Sequence, residues 1–239
     1  MTGKIKLVHS GGNAVSLAVP TSNPSSSEVE LKLPQSDGSA DTFLKTDGSG
    51  NLSFSAAGIT MADSWAITSN FSQSAGDTDV TANWQRNYVG STNWGILGSA
   101  ITESSGVFSF PTTGIYLLQF NFHGRSNGSA QSYIGTRLMV SQNAGVGYGQ
   151  VVFNYSQAYA SQAHFNMSNA AILDVTNTSN VKFKFNTEVQ SASIWFGESS
   201  SPKIGCGFYV IRLGDTKNET YTYRRLFSNS KNRTMVWVV

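Results

Sequence analysis

Cysteine and charge are both scarce in this chain of 239 residues. Its single cysteine, Cys206, excludes an intrachain disulfide framework and any zinc site built from several cysteines. Cys206 lies in an apolar run, so we expect a buried, inert thiol. No apolar stretch reaches the roughly 18 residues of a membrane-spanning helix, and the first residues lack the apolar core of a secretory signal. We therefore expect a soluble protein made in a cytoplasm.

The small net charge of +2 is unevenly distributed along the chain. Lys and Arg against Asp and Glu number four to five in residues 1–58, seven to seven in residues 59–214, and five to two in residues 215–239. A neutral body argues against a broad nucleic-acid surface, which needs clustered basic residues. The basic tail is predicted to be a solvated arm, with contact to nucleic acid or an acidic partner as the alternative.

Glycine, serine, asparagine, threonine and aromatic residues are abundant instead, and only 13% of the chain is charged. Aromatic and β-branched side chains suit pleated strands, while Gly, Asn and Ser suit tight turns. Residues 116–122 alternate strictly, with Tyr116, Leu118, Phe120 and Phe122 on one face. Further strand-like segments occur at 134–140, 149–155, 160–175, 181–185 and 204–213. This spacing predicts an all-β sandwich or jelly roll over residues 62–214.

Residues 1–58 have a different pattern, with short strand-like runs at Lys4–Val8, Ala14–Val19 and Val29–Leu33. Turn-forming residues and two prolines separate these runs. The segment has too few apolar residues to bury a core within one chain. We expect it to bury its narrow apolar faces against copies of itself or against other proteins, as an anchor or shaft does.

This segment resembles a module found in tail-fibre proteins of phages and marine viruses. Its marks are a Ser-Gly-Gly-Asn turn, a Val-x-Leu-x-Val-Pro strand, a charged strand ending in Leu-Pro, and Leu-x-Thr-Asp-Gly-Ser-Gly-Asn-Leu-Ser-Phe. They match residues 10–13, 15–20, 28–34 and 44–54. The resemblance implies that residues 1–58 attach the protein to a virus particle.

A second resemblance covers residues 62–214. The segment Gly-Val-Phe-Ser-Phe-Pro-Thr-Thr-Gly-Ile-Tyr is similar to a signature of the complement globular-head and tumour-necrosis-factor superfamily. The matching positions are Gly106, Phe108, Pro111, Gly114 and Tyr116. Residues 168–175 and 205–211 resemble two further strands of that superfamily. The resemblance implies a jelly roll that forms homotrimers through one sheet rich in aromatic residues.

Aromatic residues in loop-rich stretches are the candidate contacts to a receptor or glycan. A ring above a neutral surface rich in Asn, Ser and Gln is suited to stacking on a sugar. The alternative is that these rings fill the core of the sandwich and the threefold contact. The candidates are Trp94, Tyr148, Tyr159 and Trp195.

No catalytic, cofactor or metal site is predicted. The Gly-x-Ser-x-Gly pattern around Ser126 lacks a following helix and indicates a polar hairpin loop. The turn at Asp47-Gly-Ser-Gly-Asn51 begins like a calcium loop but lacks its later ligands, which indicates a tight turn. The three histidines, His9, His123 and His164, are far apart in sequence and in different elements, so we do not expect them to hold a metal.

These observations predict a non-enzymatic structural protein of a virion, made in the host cytoplasm. Residues 1–58 would anchor it, residues 62–214 would form a trimeric head, and the basic and apolar extension 215–239 would contact neighbours or virion partners. Its role would be that of a tail fibre or spike contributing to host attachment through avidity. The alternative is a capsid decoration or tail adaptor with a purely structural role. A glycan-cleaving enzyme is less favoured, because the head has few carboxylates to pair across a groove.

Overall fold

The computed structural model describes residues 4–22, 24, 28–56, 58–73, 75–86, 96–191, 194–197 and 205–216. All regular secondary structure in these residues is β-strand, and none of them belongs to a helix that is long and apolar enough to span a membrane. The chain divides into two compact units, residues 1–58 and 59–239.

The first unit contains two antiparallel hairpins. Strand β1 (Lys4–Val8) pairs with β2 (Ala14–Ala18), and β3 (Thr42–Thr46) pairs with β4 (Leu52–Ala56). The predicted tight turn between β3 and β4 is confirmed. The Asp47 carboxylate accepts hydrogen bonds from the Asn51 side chain at 2.6 Å and from the Ser49 backbone N–H at 2.7 Å. These bonds, led by that of Asn51, lower the pKa of Asp47.

None of the described side chains of the first unit is buried. Its large apolar side chains are instead exposed, from 40% for Phe54 to 76% for Leu33. The two hairpins therefore form no hydrophobic interior within one chain, and two-stranded hairpins without one are marginal in water. The exposed apolar side chains are Ile5, Leu7, Val8, Val15, Leu17, Val19, Val29, Leu31, Leu33, Phe43, Leu44 and Phe54.

The second unit is a sandwich of two antiparallel sheets. Sheet I has the order β8-β5-β17-β11-β14, with β16 and β6 continuing beside β11; sheet II has the order β13-β12-β15-β10-β9, with β7 beside β15. The strands are β5 (Ala62–Ile67), β6 (Phe71–Ser72), β7 (Gly76–Asp79), β8 (Trp84–Arg86), β9 (Thr102–Ser104), β10 (Val107–Ser109), β11 (Gly114–Ser126), β12 (Gln131–Ser141), β13 (Gly149–Ala158), β14 (His164–Val175), β15 (Lys182–Val189), β16 (Ile194–Phe196) and β17 (Cys206–Gly214).

The pairing of the long strands is nested. Strand β12 pairs with β13, β11 with β14, β10 with β15, and β5 with β17. A long antiparallel hairpin that winds around two sheets produces this order, which is the topology of a jelly roll. The predicted all-β jelly-roll sandwich is confirmed.

Aromatic rings fill the space between the two sheets, and Phe108 lies among them. Its ring centroid is 4.7 Å from that of Phe208, 5.0 Å from Phe183, 5.1 Å from Trp84 and 5.5 Å from Trp65. Edge-to-face and offset ring pairs at such distances add to the free energy gained by burial. Most aromatic side chains of the described strands are therefore core residues and not contacts to a receptor or glycan.

The signature residues lie before, within and after β10. Gly106, in the turn between β9 and β10, has a φ of 79°, and a Cβ there would lie 2.3 Å from the carbonyl oxygen of Val80. Gly114, at the start of β11, has a φ of 146°, and a Cβ there would lie 2.5 Å from the carbonyl oxygen of Gly214. Only glycine fits either position without strain. Phe108 and Tyr116 are buried, and the Tyr116 hydroxyl donates to the Thr112 carbonyl at 2.8 Å, which stabilises the corner between β10 and β11.

Candidate functional site

The structure places the four candidate receptor residues in different surroundings. Trp94 lies outside the described residues. Tyr148 lies in the β12–β13 connection, where the Lys184 ammonium is 4.3 Å from its ring centroid and burial raises the pKa of its hydroxyl. Tyr159 follows β13 and is 77% exposed. Trp195 lies in the short strand β16 and is half-buried.

These residues do not form one site. Strand β13 separates Tyr148 from Tyr159, and its length of about 30 Å puts them at opposite ends of the sandwich. Trp195 is nearer to the end that carries Tyr159, because Arg125 joins the Trp195 ring to Gln162, and Gln162 lies in the same β13–β14 connection as Tyr159. Of the three described candidates, Trp195 and Tyr159 are therefore the pair that can belong to a common surface.

The Trp195 cluster consists of Trp195, Arg125, Gln162 and Asn127. The Arg125 guanidinium lies over the Trp195 ring, 4.8 Å from its centroid, and donates a hydrogen bond to the Gln162 side-chain oxygen. The Gln162 amide in turn donates to Asn127 Oδ1 at 3.2 Å. A tryptophan with a guanidinium and two carboxamides can offer a stacking surface and hydrogen bonds to a polar ligand.

Next to this cluster, His123 and His164 lie side by side. His164 Nδ1 is 3.3 Å from His123 Nε2, and the two ring planes differ by 20° with centroids 5.3 Å apart. His123 and His164 are far apart in sequence and lie in different strands, but the fold brings their side chains together. Among the described residues, no group of three or more His, Cys, Asp and Glu side chains that could hold a metal is found.

The register of β11 against β14 brings the two histidines together. Arg125 lies opposite His164, and His123 lies opposite Asn166, so the imidazoles are diagonal neighbours on the outward face of sheet I. The sequence did indicate that both histidines face outward, because each occupies an outward position of a strand in which buried and exposed residues alternate. Their pairing across 41 residues depends on a register that alternation alone does not specify.

Among the residues that the structure describes, the middle of the outward face of sheet I carries no charged side chain. Three cross-strand rows run over β14, β11, β17 and β5, and the first is aliphatic throughout, with Ile172 at 68% exposure. We call these rows the uncharged face. Its rows are Ile172, Leu117, Ile211 and Ala62; Ala170, Gln119, Tyr209 and Ser64; and Ser168, Asn121, Gly207 and Ala66.

The outward face of sheet II is aromatic and charged. The Tyr155 ring lies over Gly135, where a Cβ would meet its Cε1 at 2.8 Å, and its hydroxyl donates to Glu188 at 2.7 Å. Arg137 forms ion pairs with both Glu188 and Asp77. Beside this network lie three further exposed side chains: Tyr133, Val151 and Phe153. The exposed aromatic rings of β12 and β13 therefore lie on the outward face of sheet II.

Ser126 does not have the surroundings of a hydrolase nucleophile. It ends β11, is fully buried, and its Oγ donates to the Ser129 carbonyl at 2.6 Å. His164 is near in the fold but is exposed on the outward face of sheet I, whereas Ser126 faces the interior. The Gly-x-Ser-x-Gly pattern therefore marks the start of the polar connection from β11 in sheet I to β12 in sheet II. The prediction of a loop is confirmed, but its description as a hairpin is wrong, because β11 and β12 do not pair.

Cys206 is buried, as predicted, and its thiol should be nearly unreactive in the folded chain. Burial raises its pKa to about 12, so at pH 8 the thiolate fraction is about a thousandfold below that of a free cysteine. We expect an aromatic disulfide reagent to label the native protein at least that much more slowly than the protein unfolded in guanidinium. Equal labelling rates would show that the thiol is not buried.

Comparisons with known proteins show only the fold of this chain. No protein-family model matches the chain, and no curated protein sequence matches it. Among solved structures, it is similar to murine APRIL at 14% identity, over 64% of this chain and 98% of APRIL, with a TM-score of 0.44. It is also similar to the Eiger TNF of S. frugiperda at 13% identity, over 70% of this chain and 99% of Eiger, with a TM-score of 0.43. The predicted likeness to tail-fibre proteins has no counterpart in these structures and stays a prediction.

Proposed function

We propose that this chain is a non-enzymatic structural protein of a virus particle, which assembles as a homotrimer and contributes to attachment to the host surface. The observation that carries the proposal is the uncharged face of sheet I. A solvent-facing sheet surface with a complete aliphatic row is unusual for a chain that works alone, and such a surface is suited to burial in a contact between copies.

The two outward faces differ in what their burial would cost. Burying the uncharged face removes aliphatic groups from water and desolvates no ionised group, so it avoids the largest desolvation penalty. Burying the outward face of sheet II would desolvate Arg137, Glu188 and Asp77, a penalty that ion pairing offsets only in part. We therefore assign the contact between copies to sheet I, and leave sheet II facing solvent or a partner.

The first unit supports a setting in a larger assembly. Its apolar side chains are exposed in both hairpins, so the unit gains hydrophobic stabilisation only from copies or partner proteins. The virion setting rests on the tail-fibre-like motifs, of which residues 44–54 include the Asp47 turn that the structure describes. The predicted docking of residues 215–239 lies outside the described residues, except for Asp215 and Thr216.

The attachment surface is assigned to the Trp195 cluster together with the exposed Tyr159. Three copies per trimer and many trimers per particle would multiply weak contacts into strong attachment. One observation favours the alternative, a purely structural capsid decoration or tail adaptor. Arg125 already covers one face of the Trp195 ring, and a stacked ring of this kind can serve stability alone.

Replacing Trp195 with alanine distinguishes these two roles. We expect the full chain to bind host cells or a glycan array, and the Trp195→Ala variant to bind at least tenfold more weakly, because a central aromatic contact is lost. The control is Tyr133→Ala, which removes a partly exposed ring from sheet II and should leave binding unchanged. If the unmodified chain binds no host surface, the attachment role is wrong and the structural role remains.

A further inference from the structure

We propose that His123 and His164 form a binding site for a tetrahedral divalent metal ion, with Zn²⁺ as the ion that fits. The two imidazoles present Nε2 and Nδ1 to each other at 3.3 Å on the outward face of sheet I. Imidazole nitrogens are among the commonest zinc ligands in proteins. The pair lies one row beyond the uncharged face and beside Arg125 of the Trp195 cluster, but the inference does not rest on the proposed function.

The separation of the two nitrogens selects the coordination geometry. Two ligands on the edge of a tetrahedron with Zn–N bonds of 2.0–2.1 Å are about 3.3–3.4 Å apart. Two adjacent ligands of a square-planar ion such as Cu²⁺ are closer together, at about 2.8–2.9 Å. The observed 3.3 Å therefore matches the tetrahedral edge. Both rings must rotate on binding, because nitrogens that face each other in a hydrogen bond have to converge on the ion instead.

The backbone holds the pair in place before a metal arrives. The β11–β14 ladder runs without interruption from Gly114 to Arg125, and both histidines lie within it. Beneath them, Cys206 donates its thiol hydrogen to the His123 carbonyl at 3.1 Å, and the His123 backbone N–H donates to Gly205. Ligands fixed by a sheet lose little conformational entropy on binding, which favours a site even with only two protein nitrogens.

Metal binding changes the tautomer of one ring. In the metal-free pair, one of the facing nitrogens carries a proton and donates a hydrogen bond to the other, whose ring is protonated on its far nitrogen. Coordination needs a lone pair on both facing nitrogens, so the proton of the donor ring moves to its far nitrogen, and two neutral imidazoles release no proton. Because no third His, Cys, Asp or Glu joins the pair within the described residues, water fills the remaining positions.

The nearest charged side chain on the same face is Arg125, which lies opposite His164. Its guanidinium is directed to the Trp195 ring and the Gln162 carboxamide, so its donors are engaged there. A neighbouring positive charge lowers the affinity for a cation without removing it. We therefore expect a site of moderate affinity rather than a permanently occupied structural zinc centre.

Titration calorimetry of the full chain with zinc chloride tests the site, and the third histidine supplies the control. We expect saturable binding of one zinc ion per chain, unchanged in His9→Ala and at least tenfold weaker in His123→Ala and in His164→Ala. Saturating zinc should also raise the Tm of the unmodified chain and of His9→Ala, because it links β11 to β14 in the folded state alone.

Three results would overturn the assignment. The first is the absence of saturable binding up to millimolar zinc. The second is binding that survives in His123→Ala and His164→Ala, or that is lost in His9→Ala. The third is a stoichiometry of one ion per three chains, which would assign the ion to a shared axis instead. The His164→Asn variant separates loss of the metal ligand from misfolding, because it keeps a polar side chain at this exposed strand position. It should bind zinc as weakly as His164→Ala.

Discussion

Replacing Phe108 with alanine is expected to lower the free energy of unfolding by about 4 kcal/mol. Phe108 is fully buried, and its ring contacts aromatic rings from both sheets, including Phe183 in sheet II and Phe208 in sheet I. Its truncation would leave a cavity that rigid neighbouring rings cannot refill, so the loss of ring contacts adds to the lost transfer free energy. Guanidinium unfolding at a fixed chain concentration measures the effect.

Phe153→Ala is the matched control for that experiment. Phe153 is the same residue type in a strand, but its ring is 53% exposed on the outward face of sheet II. We expect this change to cost less than about 1 kcal/mol, because exposed positions have little packing to lose. Similar losses for the two variants would contradict the assignment of Phe108 to the centre of the core.

Replacing Ile172 with aspartate is expected to convert the homotrimer into single chains. Ile172 is the most exposed member of the aliphatic row and lies opposite Leu117 on the uncharged face. A carboxylate at this position would have to be desolvated without a partner, at a cost of several kcal/mol in each copy, and the burial of the Ile172 side chain would be lost as well. Native mass spectrometry or light scattering would detect the change in mass.

The control for Ile172→Asp is Tyr133→Asp, which places the same charge on the outward face of sheet II. Tyr133 is 38% exposed on β12, and β13 lies between β12 and the edge of sheet I that carries Ile172. This variant should keep the mass of the unmodified protein. Dissociation by Tyr133→Asp but not by Ile172→Asp would assign the contact between copies to sheet II and exclude the uncharged face.

Much of the sandwich could be predicted from sequence, because its strands follow the period of two so strictly. In β11 every second residue, from Tyr116 to Phe122, is buried, and the intervening residues face outward. The Gly106–Tyr116 signature could also be recognised in the sequence, since Gly106 and Gly114 occupy backbone conformations that only glycine fits well. Local rules of this kind need no knowledge of which strands are neighbours.

Features that depend on distant pairing could not be predicted. Asp63 is fully buried as a side chain and accepts hydrogen bonds from the Trp65 indole, the Ile101 backbone N–H and Arg86, which lies 23 residues away. Alternation indicates only that position 63 faces inward, and a charge at such a position looks unfavourable until its partners are known. The His123–His164 pair was missed for the same reason.

The candidate site could be predicted only in part. The pattern selected Trp195 and Tyr159 as aromatic residues in loop-rich stretches, although Trp195 lies in strand β16. It did not indicate the Arg125 guanidinium over Trp195 or the Gln162 side chain that accepts from it. It also grouped Tyr148 with them, although the length of β13 separates Tyr148 from Tyr159. Composition identifies the residue types of a surface, whereas strand length and order decide which of them share it.

Sedimentation equilibrium of the full chain is the measurement that tests the proposed assembly most directly. The uncharged face of sheet I predicts a species of three times the chain mass of 25.7 kDa, maintained on dilution and reduced to one chain mass by Ile172→Asp. A single chain mass at every concentration of the unmodified protein would contradict the homotrimer, and with it the assignment of this face as the contact between copies.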